Sequence, residues 1–222
     1  MKNRVVLAVG NGGRYAEAAA ERLSAEGAAV EKCRYDGRGA LAAAFDAALE
    51  KHGRIDVLLC CTGVSDGHTG LVRTTDELWN DCIEMNQNAI FHACREFVRR
   101  TSGPGRAIVN IIPDDGMRSD SGAASAASDA AALTLTRNIA RFYAEKGVCC
   151  NAVCVPAPRT EKTDEERAFY AGGSMPAPEG PRPTPEETAE VVLFLADGAC
   201  TCVNGQCIRV GGGALREDRD EA

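Results

Sequence analysis

Three groups of residues have the types and spacing that chemistry needs. The first is Gly10-Asn11-Gly12-Gly13-Arg14, which follows the apolar run Val5-Val6-Leu7-Ala8-Val9 and leads into a helical stretch. A glycine-rich turn between strand and helix lets backbone amides meet the pyrophosphate of a dinucleotide, with the helix N-terminus adding donors. The second is Asp114-Asp115, two carboxylates after an apolar run. Paired carboxylates can do acid–base work, and a polar turn explains the same pair. The third is the cysteine set, 11 in 222 residues. The closest approaches to a metal pattern are Cys149-Cys150-x3-Cys154 and Cys200-x-Cys202-x4-Cys207. The first lies on a strand-like run, where alternation sends neighbours to opposite faces. No metal site is expected, and the cysteines read as small buried hydrophobes. An odd count without Cys-x-x-Cys is not a disulfide framework, which places the chain in a reducing cytoplasm. His52, His68 and His92 show no nucleophile or metal spacing; His68 is worth one mutation.

The elements that must position these groups alternate between two periodicities. Strand-like segments fall at 4–9, 28–35, 55–61, 106–112, 148–155 and 206–210, and helical ones at 14–26, 39–52, 76–101, 122–146 and 185–196. This alternation predicts a parallel α/β sheet. Leu78, Cys82, Met85, Ala89, Ala93 and Phe97 make one stripe of the third helix. Gly27 and Gly53 suit helix ends; Thr75 or Asp76, and Thr184 before Pro185, suit helix starts. Residues 1–213 read as one domain. Residues 157–183, rich in proline and charge, read as a lid-like loop. Residues 214–222 read as a charged tail holding −2 of the formal net charge of −7. An acidic chain argues against nucleic-acid binding and against anionic membranes. No apolar run approaches the ~20 residues of a membrane span.

At the glycine turn the chain resembles the short-chain dehydrogenase/reductase family, over nearly its whole length. The family's T-G-x-x-x-G-x-G appears as Val9, Gly10, Arg14 and Ala16 in its Thr and three Gly places. The resemblance implies a doubly wound Rossmann-type parallel sheet, here shortened at the strand-3 edge. About twenty residues, a helix and an edge strand on the adenosine side, are missing after Asp36. It also implies that Gly10, Gly12, Gly13, Arg14 and Gly63 are the cofactor-binding positions. Arg14 either binds a phosphate or blocks the pocket, and blockage is preferred. Glu31 has the spacing of a ribose-binding acid and Arg34 could meet a 2′-phosphate; both also read as solvated charges. Cys60-Cys61-Thr62-Gly63 stands where the family has N-N-A-G.

The family reduces carbonyls with a tyrosine, a lysine, a serine and an asparagine, because the hydride comes from the cofactor and a proton must reach the alkoxide. By the resemblance, Ser125 stands in the tyrosine place, Asp129 in the lysine place, and Ile112 or Pro113 in the serine place. Ser119 and Ser121 are close by but belong to the loop. Asn86, in Glu84-Met85-Asn86-Gln87-Asn88, is the only one kept, with a structural amide as its other reading. Tyr143 and Lys146 are spaced by three rather than four and lie far along the helix. Pro185–Ala196 and Asn204–Gly213 match the family's closing helix and strand. The expectation is a non-catalytic subunit that binds no cofactor and pairs with an active family dehydrogenase, for instance of hydroxyacyl-CoA type. Association, with itself or with that partner, would run through helices 76–101 and 122–146. The alternatives are an active NAD(P)-dependent oxidoreductase rebuilt around Asn86, Ser125 and Asp114-Asp115, or a dinucleotide or anion sensor. If the cofactor site functions, the cofactor is NAD or NADP.

Overall fold

The computed structural model describes residues 1–67, 69–114, 122–156, 183–199 and 201–211. His68, Asp115, Ser119, Ser121, Cys200, the tail 214–222 and all but the last residue of the 157–183 segment lie outside them.

Six strands form one parallel sheet: β1 (Val5–Gly10), β2 (Ala29–Arg34), β3 (Val57–Cys61), β4 (Arg106–Pro113), β5 (Val148–Val155) and β6 (Cys207–Arg209), in the order β2-β1-β3-β4-β5-β6. Among the described residues six helices lie against it: α1 (Arg14–Ala25), α2 (Gly37–His52), α3 (Asp76–Cys82), α4 (Ala89–Arg100), α5 (Ala123–Tyr143) and α6 (Pro185–Ala196). Strand alternation sorts the core into two layers. Leu7, Val9, Leu58, Cys60, Ile108 and Ile112 pack with α2, α4 and α5. Val6, Val57, Leu59, Val109, Ile111 and Val153 pack with α1 and α6. This is the doubly wound α/β arrangement. The chain leaves β1 for β2, then crosses back over β1 through α2 to reach β3, so the order reverses between β1 and β3. β2 is the outermost strand on that side, as the missing adenosine-side segment requires.

The expected helix 76–101 is interrupted. Ile83–Asn88 makes a π-turn between α3 and α4, and the run ends at Arg100. Spacing by three and four does not report such a turn, because a single π-turn inside a helical run leaves the apolar stripe on either side of it in place. The expected helix 122–146 ends at Tyr143 and continues as a 3-10 turn over Ala144–Lys146. The ends behave as composition indicates. Thr75 caps α3, and Thr184 forms a reciprocal box with Glu187, Thr184 Oγ1 accepting from Glu187 N at 3.1 Å and Glu187 Oε2 from Thr184 N at 2.8 Å.

The amino-terminal edge of the sheet closes on Asp56. Its carboxylate accepts from Val5 N at 2.9 Å, and it also meets the guanidinium groups of Arg54 and Arg106. Burial alone would raise its pKa, but the Arg54 hydrogen bond, the Val5 amide and the Arg106 charge together hold it below the usual carboxylate value. Arg4 ties the same end, donating to Gly105 O at 2.5 Å and Asp197 O at 3.0 Å.

A folded pKa below the unfolded one gives stability that is present above the unfolded value, near pH 4, and is lost as pH falls through the folded one. Urea denaturation should therefore show Asp56→Asn less stable by about 3 kcal/mol at pH 7. The gap between variant and native chain should narrow steadily below about pH 4.

Candidate functional site

The carboxyl ends of β1 and β3, where the strand order reverses, are the place where open α/β sheets hold ligands. The turn after β1 is built for close approach. Gly12 and Gly13 have φ of +88° and +109°, which disfavours any side chain, and a Cβ on either would meet nothing within 4 Å. Gly13 starts α1 without a side-chain cap, so the helix amides there are free of a capping side chain. Gly10 has a different reason to be glycine: a Cβ would lie 2.4 Å from Cys61 O, so it permits contact between β1 and β3. Gly63 offers its carbonyl to Asn11 Nδ2 at 3.0 Å, which ties the turn to the loop after β3. Arg14 is exposed at the start of α1 and lines neither of the clefts beside the turn. It does not fill the pocket, contrary to the blockage preferred from the sequence.

Two clefts flank the turn. One, of about 710 Å³, is walled by Asn11, Arg34, Asp36, Val64, Leu78 and Met85. The other, of about 210 Å³, lies between α1 and β2 beside Ala8, Ala16, Ala20, Lys32 and Arg34. Arg34 belongs to both. Glu31 belongs to neither: its carboxylate accepts from Lys51 Nζ at 2.8 Å and lies 2.7 Å from His52 Nε2, at the far end of α2. Its spacing suits a ribose ligand, but the strand turns it away from the clefts.

Asn86 sits in the π-turn, buried to 1% exposure. Its Oδ1 accepts from Val64 N at 2.8 Å, while Nδ2 donates to Val64 O and Ser128 Oγ, both at 3.1 Å. Both amide hydrogens are thus committed to holding the loop after β3 against α5. Of the two readings of Asn86, these bonds describe the structural amide.

The start of α5 is occupied by a carboxylate. Asp66 Oδ2 accepts from Ala124 N at 2.9 Å and Ser125 N at 3.1 Å, and Asp66 N donates to Ser125 Oγ at 3.0 Å. The free amides and dipole of a 21-residue helix favour an anion at this position. Gly122 makes room for it, since a Cβ there would fall 1.9 Å from Asp66 Oδ1. Ser125 and Asp129 are both buried, at 2% and 1% exposure. Cys82 packs beside Ser125, and burial with the nearby Asp66 charge raises its thiol to about 11. Nothing local in the sequence marks Asp66, because a carboxylate on a loop carries no sign that it will reach a helix sixty residues on.

At the end of β4, Asp114 is held by Arg209 of β6, with Nη2 and Nε at 2.9 and 3.1 Å from Oδ2. It is an ion-paired carboxylate; its expected companion Asp115 lies outside the described residues. The phenol nearest the larger cleft is Tyr35, which the motif reading passes over. It donates to Glu84 Oε1 at 2.8 Å and lies 3.0 Å from His92 Nδ1. Burial and the Glu84 bond push it up to about 12, a poor acid at neutral pH. Tyr143 instead carries Lys146 over its ring at 5.3 Å, at the opposite end of α5. Among the described residues no group of three or more His, Cys, Asp or Glu could hold a metal ion. No helix there is long and apolar enough to cross a membrane.

Residues 3–214 match the family model described as Enoyl-(Acyl carrier protein) reductase. A 3beta-hydroxysteroid dehydrogenase of Mediterraneibacter gnavus is 30% identical over 234 residues, covering 94% of this chain and 84% of that protein. The short-chain dehydrogenase/reductase cdmF of Talaromyces verruculosus is 34% identical over 173 residues, covering 71% and 67%. A 3-oxoacyl-acyl-carrier-protein reductase, FabG, of Thermotoga maritima is 32% identical over 175 residues, covering 75% and 69%. The solved structure of gox2181 superposes with a TM-score of 0.83 at 24% identity, covering 96% of each chain. A single-residue variant of actinorhodin polyketide ketoreductase, solved with NADPH, gives 0.79 at 23% identity, covering 95% and 97%. At these identities the structural likeness speaks for the fold.

The Asp66 clamp has a measurable signature. The backbone of Gly122 (φ −68°, ψ 154°) suits any residue, so what alanine there meets first is the Asp66 carboxylate. Gly122→Ala should cost about 2 kcal/mol in denaturant titrations. In an Asp66→Ala background the same change should cost less than about 1 kcal/mol, because the two sites are in contact and couple.

Proposed function

The chain belongs to the short-chain dehydrogenase/reductase family of NAD(P)-dependent oxidoreductases, and on that premise we propose that it is a non-catalytic subunit that pairs with an active family member. The observation that carries this reading is the start of α5. The resemblance assigns the family's tyrosine and lysine to the places of Ser125 and Asp129. Both are buried, and Asp66 holds the helix end between them and the loop. A serine hydroxyl has no acidity useful near pH 7, and a carboxylate in the lysine place raises rather than lowers a neighbouring acid's pKa. Tyr35, the phenol on the cleft wall, is committed to Glu84.

The dinucleotide site fits at one end only. Gly12, Gly13 and the amides of α1 suit a pyrophosphate, and Arg34 stands at the adenosine side. NADH or NADPH would supply a hydride when bound. The residues about Ser125 do not match the nicotinamide end, so the cofactor expectation is binding without turnover at most. Pairing through helices 76–101 and 122–146 is supported by Trp79, Phe91 and Phe142, large apolar side chains exposed along them.

A second reading, an active NAD(P)-dependent oxidoreductase with rebuilt chemistry, is favoured by the relatives, several of which are named as dehydrogenases or reductases. In that reading Asn86, Ser125 and the Asp114-Asp115 turn would carry the reaction. A rate measurement separates the two. With NADH or NADPH and a 3-ketosteroid or 3-oxoacyl thioester, the purified chain should turn over at least about 10³-fold more slowly than an active family member. It should co-purify with such a member when the two are expressed together. Robust turnover by the chain alone, abolished by Ser125→Ala or Asp114→Ala, would instead establish the second reading.

A further inference from the structure

Five thiols converge on the face of the sheet under α4 and α5. Cys94 of α4 meets Cys60 of β3 and Cys150 of β5, with the Asn110 amide 3.9 Å from Cys94 Sγ and 3.8 Å from Cys150 Sγ. These three are fully buried and closed to reagents. The other two stand on β5 and on the outermost strand β6. Cys207 of β6 is in register with Ala152 of β5, so its side chain shares a face with Cys150 and Cys154, two residues to either side. Cys154 is buried, whereas Cys207 is partly open to solvent. The Cys154 and Cys207 side chains share that face of the sheet and their ionisations influence each other, and Arg137 lies close by.

We propose that Cys207 is a site of reversible oxidation by hydroperoxides, with Cys154 as its resolving thiol. Thiolate character and access decide which cysteines oxidise, and Cys207 combines both. The neighbouring Cys154 thiol, opposed by partial burial, pulls it down to about 6. The same interaction and burial raise Cys154. The Cys207 thiolate attacks one oxygen of hydrogen peroxide: an S–O bond forms, the O–O bond breaks, and hydroxide leaves, giving a sulfenic acid. The Cys154 sulfur then attacks the Cys207 sulfur, its proton leaves with the hydroxyl as water, and a disulfide forms. In sum two thiols lose two electrons and two protons to one hydrogen peroxide, which becomes two waters.

The element that must shift for this closure is β6. A disulfide takes a Cα separation of about 4.4–6.8 Å, and Cys207 is in register with Ala152 rather than with Cys154, so closure draws Cys207 along the strand direction toward Cys154. Strand β6 has three residues and, among the described residues, lies at the edge of the sheet and pairs with β5 alone. The resulting link would tie the outermost strand to β5 beside the Asp114–Arg209 ion pair.

The test treats the full chain with limiting hydrogen peroxide at pH 7, traps sulfenic acids with dimedone, and maps every cysteine by mass spectrometry. The native chain should yield a Cys154–Cys207 disulfide. Cys154→Ser should accumulate the dimedone adduct on Cys207, about tenfold over the exposed Cys202. Equal or faster labelling of Cys202, or a disulfide from Cys207 to Cys150, would overturn the assignment. Should Cys154→Ser not fold, site-resolved iodoacetamide labelling of the native chain between pH 5 and 9 decides instead. A half-maximal rate at Cys207 near pH 6 is expected, and a midpoint at the ordinary thiol value of about 8.5 would refute the proposal.

Discussion

A parallel sheet covered on both faces leaves its polar side chains few places to go except the ends of the strands. Each strand here is apolar over most of its length because helices lie above and below it. The charges that must be buried therefore gather at the two rims. At the amino-terminal rim, Asp56 joins the start of β1 to β3 and β4 through Val5 and Arg106. At the carboxyl rim, the corresponding carboxylates are Asp66 and Asp114, and they act on opposite kinds of partner. Asp114 takes the guanidinium of Arg209 from β6. Asp66 takes the amides of α5. The first closes an edge of the sheet, and the second closes the start of a helix.

This division limits the chemistry open to the carboxyl rim. A catalytic proton donor must be exposed to its substrate and near its working pKa. The groups at the start of α5 are instead turned toward each other. Asn86 commits both amide hydrogens to Val64 and Ser128, and Ser125 accepts from Asp66 N. Their hydrogen bonds lock the loop after β3 to α5, which stabilises the scaffold and leaves the phosphate turn as the more open part of the rim. The turn keeps its positive-φ glycines and its uncapped helix. Recognition of an anion and transfer of a proton are separable here because they rest on different elements, backbone in one case and side chains in the other.

The thiols illustrate how the same residue type divides by position. Cys60, Cys94 and Cys150 behave as the small hydrophobes that composition suggested. Cys207 differs because a three-residue edge strand cannot bury it and because Cys154 stands two register positions away. Neither fact is visible in the spacing Cys200-x-Cys202-x4-Cys207, which resembles a ligand pattern only along the chain.

Local periodicity and short-range chemistry account for most of what was legible in the chain before folding. Alternating strands and helices, the glycine turn after β1, and the caps at Thr75 and Thr184 could all be read from neighbouring residues, because each depends on contacts within a few positions; the shortened edge beside β2 came from the family resemblance instead. The remainder waited on the assembled sheet. The fold turned Glu31 toward Lys51 and His52, placed Arg14 outside the clefts, and inserted the π-turn that lets Asn86 reach Val64. It also brought Asp66 to α5 and Arg209 to Asp114, pairs 59 and 95 residues apart. Such pairings are set by which strands lie side by side and which way each side chain faces, and a shift of one residue in register would reverse them.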